Sequence, residues 1–225
     1  MPMLKIFRNI CLLTALSLCC TYSIAVAQDF EKWEPTIAGF EKAAQQHPVK
    51  RGKYIVFTGS SSIVGWKTLN ADFPHKNILN RAFGGSQTFE LVHFADRIIK
   101  PYKPKQVVIY SGDNDIAAGK TPEEVLSDFK VLFNKIRKSN RSAVVTFISI
   151  KPSPSRKQYM PAIVKTNKLI SDFLAENKKT SYVDIYNPML TPAGKPRPEL
   201  FKPDSLHMVQ AGYDLWREIL KPYLK

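Results

Sequence analysis

Apolar residues in this chain follow two rhythms that alternate from about residue 29 onward. Phe30, Trp33, Ile37 and Phe40 fall at helical spacing, and Asp29 stands where an N-cap would. A helix is expected from there to about Gln46, ended by Pro48 and Gly52. Lys53 to Thr58 is a short run with the apolar density of a buried strand. Asn77 to Asn80, Lys105 to Tyr110, Ser142 to Ile150 and Thr180 to Ile185 read as four more strands. Helical patterns fall at 88–100, 121–138, 161–177 and 209–220. The start at Thr121-Pro122-Glu123-Glu124 is explicit. Thr caps, Pro takes the first helical position, and Glu stands three residues after the cap.

Short apolar strands separated by helices of 12 to 18 residues imply parallel β-α-β units. Both faces of a parallel sheet need covering, so the expected class is α/β, a three-layer α/β/α sandwich. In open sheets of this kind ligands sit beyond the carboxyl ends of the strands. The residues just after each strand therefore carry the functional question.

The first 27 residues read as a signal peptide, which leaves 28–225 as one domain. Lys5 and Arg8 precede an apolar run from Ile10 to Val26, and Ala25-Val26-Ala27 has the small-x-small form of a cleavage site. Thr14, Ser17, Thr21 and Ser23 interrupt the run, which disfavours a membrane anchor. Leu18 and Cys19 are poor residues to precede a lipoprotein cysteine. The expected location is the periplasm or the exterior. Cys11, Cys19 and Cys20 all lie in this leader, so the remaining chain has no disulfide and no thiol chemistry. Loss of the leader leaves 31 basic and 19 acidic residues. The basic residues are scattered, with no run above two. That fits contact with anionic surfaces better than nucleic-acid binding.

The first strand is followed by Gly59-Ser60-Ser61-Ser62-Ile63, and the second by Asn80 through Ser86 with Gly84-Gly85. Ser111-Gly112-Asp113-Asn114-Asp115 follows the third, and Asp204-Ser205-Leu206-His207 follows the fifth strand and a proline-rich loop. Each has an ordinary reading taken alone. Serines cap helices, glycine pairs turn the backbone, Asp and Asn make turns, and a lone histidine lies on a surface. Together, in chain order at one end of one sheet, they supply what acyl transfer requires. Asp113 and Asp115 also admit a glycosidase reading, but Asn114 between them has a better use. No His/Asp cluster has metal-ligand spacing, and no cofactor is expected.

With these blocks in view, the chain resembles the SGNH or GDSL hydrolases, flavodoxin-like serine esterases and lipases. The resemblance runs from Tyr54 to Leu220 and is strongest to a branch beginning Gly-Ser-Ser-Ser-Ile-x-x-Trp, here Gly59 through Trp66. It implies strand order 2-1-3-4-5 and makes Ser61 the nucleophile. It also implies an oxyanion hole from the N–H of Ser61, the N–H of Gly85 and the amide of Asn114. The last block assigns the base to His207 and its orienting carboxylate to Asp204. Ser60 departs from the family pattern, which has Asp there. His47, His75 and His93 have no such partner in the sequence. Ser60, Lys151 and Arg156 are the candidate substrate contacts, with Lys195 and Arg197 on the proline-rich loop. Trp66 and Phe83 are expected in the core. The resemblance allows short acyl esters, lysophospholipids and acetylated polysaccharides as substrates. The rival of another class is a binding protein on the same fold.

Overall fold

The computed structural model describes residues 30–225. The expected leader and the Asp29 cap lie outside the described residues. The chain divides into the units Met1–Lys32 and Trp33–Lys225, and everything below concerns the second.

In chain order its elements begin with α1 (Glu34–Gln46), β1 (Ile55–Gly59), α2 (Ser61–Val64), α3 (Leu69–Asp72) and β2 (Ile78–Asn80). There follow α4 (Thr88–Ile98), β3 (Gln106–Tyr110), α5 (Asp113–Ala117) and α6 (Pro122–Ser139). β4 (Val144–Ile148), α7 (Met160–Ala175), β5 (Thr180–Val183) and α8 (Gln210–Leu220) complete the set. The five strands form one parallel sheet in the order β2-β1-β3-β4-β5. Fold class and strand order are those expected.

Both faces of the sheet are buried, as parallel strands with helical crossovers require. Alternate residues divide between the faces. Ile55, Phe57, Val108, Tyr110 and Ile148 join Trp66, Met189, Trp216 and Leu220 in one core, which α8 covers. On the other face Phe147 meets Phe129 of α6 with ring centroids 5.2 Å apart. Helix α6 packs between α4 and α7 on that side, and α1 packs on α4. Trp66 and Phe83 are buried as expected.

The helix start at Thr121 forms as read. The Thr121 hydroxyl accepts from the Glu124 N–H at 3.3 Å, and Glu124 Oε2 accepts from the Thr121 N–H at 2.7 Å. Three elements had no sequence signal: α2, α3 and α5 are single turns, too short to display a period. Two of them open on the Ser61 and Asp113-Asn114 blocks. Among the described residues no helix is long and apolar enough to cross a membrane.

Candidate active site

The ends of β1 and β3 meet at Gly59. Its φ is +135°, and a Cβ there would lie 1.9 Å from the Tyr110 carbonyl oxygen. Only glycine fits. The Ser60 N–H then donates to the same carbonyl at 3.2 Å, and the chain turns directly into α2. Of the three serines, Ser60 and Ser62 are buried and Ser61 is half-buried. Ser61 is the one that meets the histidine: His207 Nε2 lies 3.0 Å from Ser61 Oγ.

The histidine comes from a closed turn near the end of the chain. The Lys202 N–H donates to the His207 carbonyl at 2.7 Å, and Phe201 bridges to Met208. Ser205 completes the bend in a left-handed conformation, φ +57°. Asp204 Oδ2 lies 2.7 Å from His207 Nδ1. Its other oxygen accepts from the N–H groups of Leu206 and His207, both at 2.9 Å. The hydrogen bond from His207 and those two N–H groups hold the Asp204 carboxyl well below the usual carboxylate range. Asp204 is therefore a fixed negative charge, hydrogen-bonded to Nδ1 of the His207 ring.

The second block is tied to the first. The Phe83 N–H and the Ser86 hydroxyl both donate to the Gly59 carbonyl, at 3.0 and 3.1 Å. A Cβ on Gly84 would lie 3.8 Å from that of Ser61. Gly85 has φ +81°, and a Cβ there would meet only Trp33, at 3.7 Å. Glycine is thus favoured at 85 by its backbone angle, not by crowding. Among the described residues no acceptor takes the N–H of Ser61 or of Gly85. Asn114, on α5, donates through Nδ2 to the Ser86 carbonyl at 3.0 Å. The structure thus brings Ser61, His207, Asp204, Gly85 and Asn114 to one end of the sheet.

The candidate substrate contacts divide. Lys151 was expected on the rim, but it is 1% exposed, and its ammonium is spent on Asp113 and Tyr110 at 2.9 and 3.2 Å. Ser60, at 3% exposed, is likewise interior, because it continues β1 into the core. Arg156 remains in reach of solvent with its side chain 23% exposed. Its Nε lies 3.6 Å from Asp113 Oδ1 and makes no hydrogen bond. Arg197 is occupied within its own loop by Glu199 and the Pro188 carbonyl.

Two contributors carried no usable sequence signal. Trp33 looked like one more core position of the first helix. Its ring packs edge-on against Phe83, centroids 5.1 Å apart, and so stands beside Gly85. Asp115 is fully buried and accepts from the Thr88 N–H at 2.8 Å, fastening the start of α4 to the third block. Burial pushes its carboxyl up to about 6.

The GDSL-like lipase/acylhydrolase family model matches residues 49–215. Among solved structures, a candidate platelet activating factor from Streptococcus pneumonia is 21% identical with a TM-score of 0.75, covering 95% of this chain and 99% of its own. A GDSL-like lipase from Bacteroides thetaiotaomicron is 23% identical with a TM-score of 0.69, covering 87% and 96%. A carbohydrate esterase family 3 protein from Talaromyces cellulolyticus is 15% identical with a TM-score of 0.59, covering 76% and 95%. At such identities the likeness is one of fold. None of the curated proteins matches the sequence.

Proposed function

The chain belongs to the GDSL-like lipase/acylhydrolase family and is a carboxylic ester hydrolase, and from that premise we propose that Ser61 carries the acyl group during turnover. The observation behind this reading is the hydrogen-bonded line from Asp204 through His207 to Ser61, at 2.7 and 3.0 Å. Ser61 Oγ attacks the ester carbonyl as His207 Nε2 takes its proton. The tetrahedral intermediate collapses, His207 returns the proton to the leaving alcohol, and the acyl group stays on Ser61. Water then attacks with His207 again as base, releasing the acid and restoring the serine. The negative oxygen of each intermediate is received by the N–H groups of Ser61 and Gly85 and by the Asn114 amide.

The substrate we propose is a short-chain acyl ester or a lysophospholipid. The His207 and Asp204 side chains are 37% and 48% exposed, so a bulky alcohol has room. Trp33 beside Gly85 supports a short acyl group on that side. The same openness supports a second reading, an O-acetylated polysaccharide. The carbohydrate esterase among the fold relatives agrees with it.

Hydrolysis of p-nitrophenyl acetate, butyrate and octanoate, an acetylated xylan and a lysophosphatidylcholine tests these readings together. Ser61→Ala serves as the blank. Falling rates from acetate to octanoate are expected. No turnover above the blank on any substrate would remove the hydrolase mechanism. Fluorophosphonate labelling at Ser60 or Ser62 with Ser61 unmodified would remove the nucleophile alone.

We further propose export with cleavage after Ala27, on the composition of the leader. N-terminal sequencing of protein from the extracytoplasmic fraction should begin at Gln28. A chain there that still begins at Met1 would contradict this.

A further inference from the structure

Lys151 and Asp113 form an ion pair almost wholly removed from water, and the steps above use neither. Lys151 Nζ donates to Asp113 Oδ2 at 2.9 Å and to the Tyr110 hydroxyl at 3.2 Å. A pair buried this deeply adds little to stability over well-packed apolar replacements, because desolvating both charges offsets most of their attraction. Its position gives it another use. Asp113 opens α5, and the next residue is Asn114. Helix α5 is a single turn of five residues, too short to hold its own geometry.

The surroundings make Lys151 a firm anchor. Ile150 just before it is clamped by one side chain. Its N–H donates to Asn167 Oδ1 at 2.8 Å, and its carbonyl accepts from Asn167 Nδ2 at 3.0 Å. Gly112, with φ +110°, lies so close to Ile150 that a Cβ would fall 2.6 Å from Ile150 Cδ1. The loops after β3 and β4 are thus pressed together. Burial would lower the Lys151 pKa, but Asp113 and Tyr110 together outweigh it and raise the pKa. The ammonium therefore stays charged throughout the neutral range.

We propose that Lys151 is a positioning residue, which through Asp113 fixes the turn of α5 and with it the aim of the Asn114 amide at the substrate's carbonyl oxygen. Two restraints then set the amide's direction. The Ser86 carbonyl holds its side chain, and the Lys151–Asp113 pair holds its backbone. The inference rests on the oxyanion role assigned to Asn114 above.

The test is a set of kinetic cycles on p-nitrophenyl acetate. Lys151→Met/Asp113→Leu replaces the pair by apolar side chains, and Asp113→Asn keeps its shape without the charge. Each is also combined with Asn114→Ala. We expect Asp113→Asn to lower kcat by about 10-fold and the double variant by up to about 100-fold, a scale typical of misplaced catalytic groups. KM should stay within about twofold, since ground-state binding is untouched. Asn114→Ala should then cost far less in either background than in the wild type, because an amide already misaimed has little left to lose. If the double variant does not fold, Asp113→Asn carries the test. The inference is overturned if the folded variants keep kcat within about twofold of wild type. It is also overturned if Asn114→Ala costs the same factor in every background. A silent Asn114→Ala in the wild-type chain removes the oxyanion assignment and this inference with it. Absence of wild-type turnover removes the hydrolase mechanism itself.

Discussion

The backbone N–H of Ser155 donates to the Ser205 carbonyl at 3.1 Å and so joins the loop after β4 to the turn that carries His207. The next residue, Arg156, is thereby set between the turn of His207 and the Asp113-Asn114 block. Lys151 already pairs with Asp113, so the three charges leave one positive charge in excess. An anionic group on the substrate would find there a guanidinium held only by a 3.6 Å ion pair with Asp113. Arg156→Ala should raise KM for p-nitrophenyl succinate about 10-fold, the scale of one charge-assisted hydrogen bond. KM for the uncharged butyrate should not change. An equal change for both esters would count against a charge contact.

Ser61→Ala and His207→Ala should each lower kcat by about 10⁴-fold or more, and the double variant should be little worse than either. On the proposed mechanism the two residues act on one proton across the 3.0 Å contact, so removing the second leaves nothing further to lose. A purely additive loss, measured under single-turnover conditions, would mean they act separately.

Asn114→Ala should lower kcat by about 10²–10³-fold with KM little altered, the range for one lost oxyanion donor. Steady-state kinetics on p-nitrophenyl acetate gives both parameters. A rise in KM with kcat intact would make Asn114 a ground-state contact instead.

The pH dependence of stability should carry the mark of Asp115. Burial raises its carboxyl from 3.8 to about 6, so the folded chain holds that proton more tightly than the unfolded one. The contribution to stability is full below about pH 4 and is lost as pH rises through about 6. Asp115→Asn should remove this slope. Relative to wild type, the variant should gain about 2–3 kcal/mol between pH 4 and pH 7 in urea unfolding. Parallel curves for the two proteins over that range would contradict the assignment.

Two glycines of the site should respond differently to alanine. Gly59→Ala drives a methyl group into the Tyr110 carbonyl and should prevent folding or lower Tm severely. Gly85→Ala meets no close atom and should cost only about 1–3 kcal/mol for its left-handed backbone. Thermal unfolding of both variants checks the order. A Gly85→Ala protein less stable than Gly59→Ala would refute it.

Much of this was open to a reading of the sequence. The five strands are short apolar runs, and their parallel pairing follows from helices long enough to cross over, whereas their order came only with the family resemblance. The blocks after Gly59, Asn80, Ser111 and Pro203 were visible because each lies at a strand end or turn. What escaped was decided by burial. Nothing in the local sequence tells Lys151, beneath the surface, from Arg156 at the rim. The first is interior only because Asp113, 38 residues away, is there to receive it. Asp115 reads as turn chemistry until the start of α4 is seen hanging from it.

His207 stands 18 residues from the end of a 225-residue chain, and Ser61 well towards its beginning. Their 3.0 Å contact closes a span of 146 positions. Ribosomes deliver the serine and all five strands before the histidine emerges. On the mechanism proposed above, a growing or truncated chain therefore holds Ser61 without its base. On that mechanism ester cleavage begins only once the turn that carries His207 has docked, so activity itself reports its arrival.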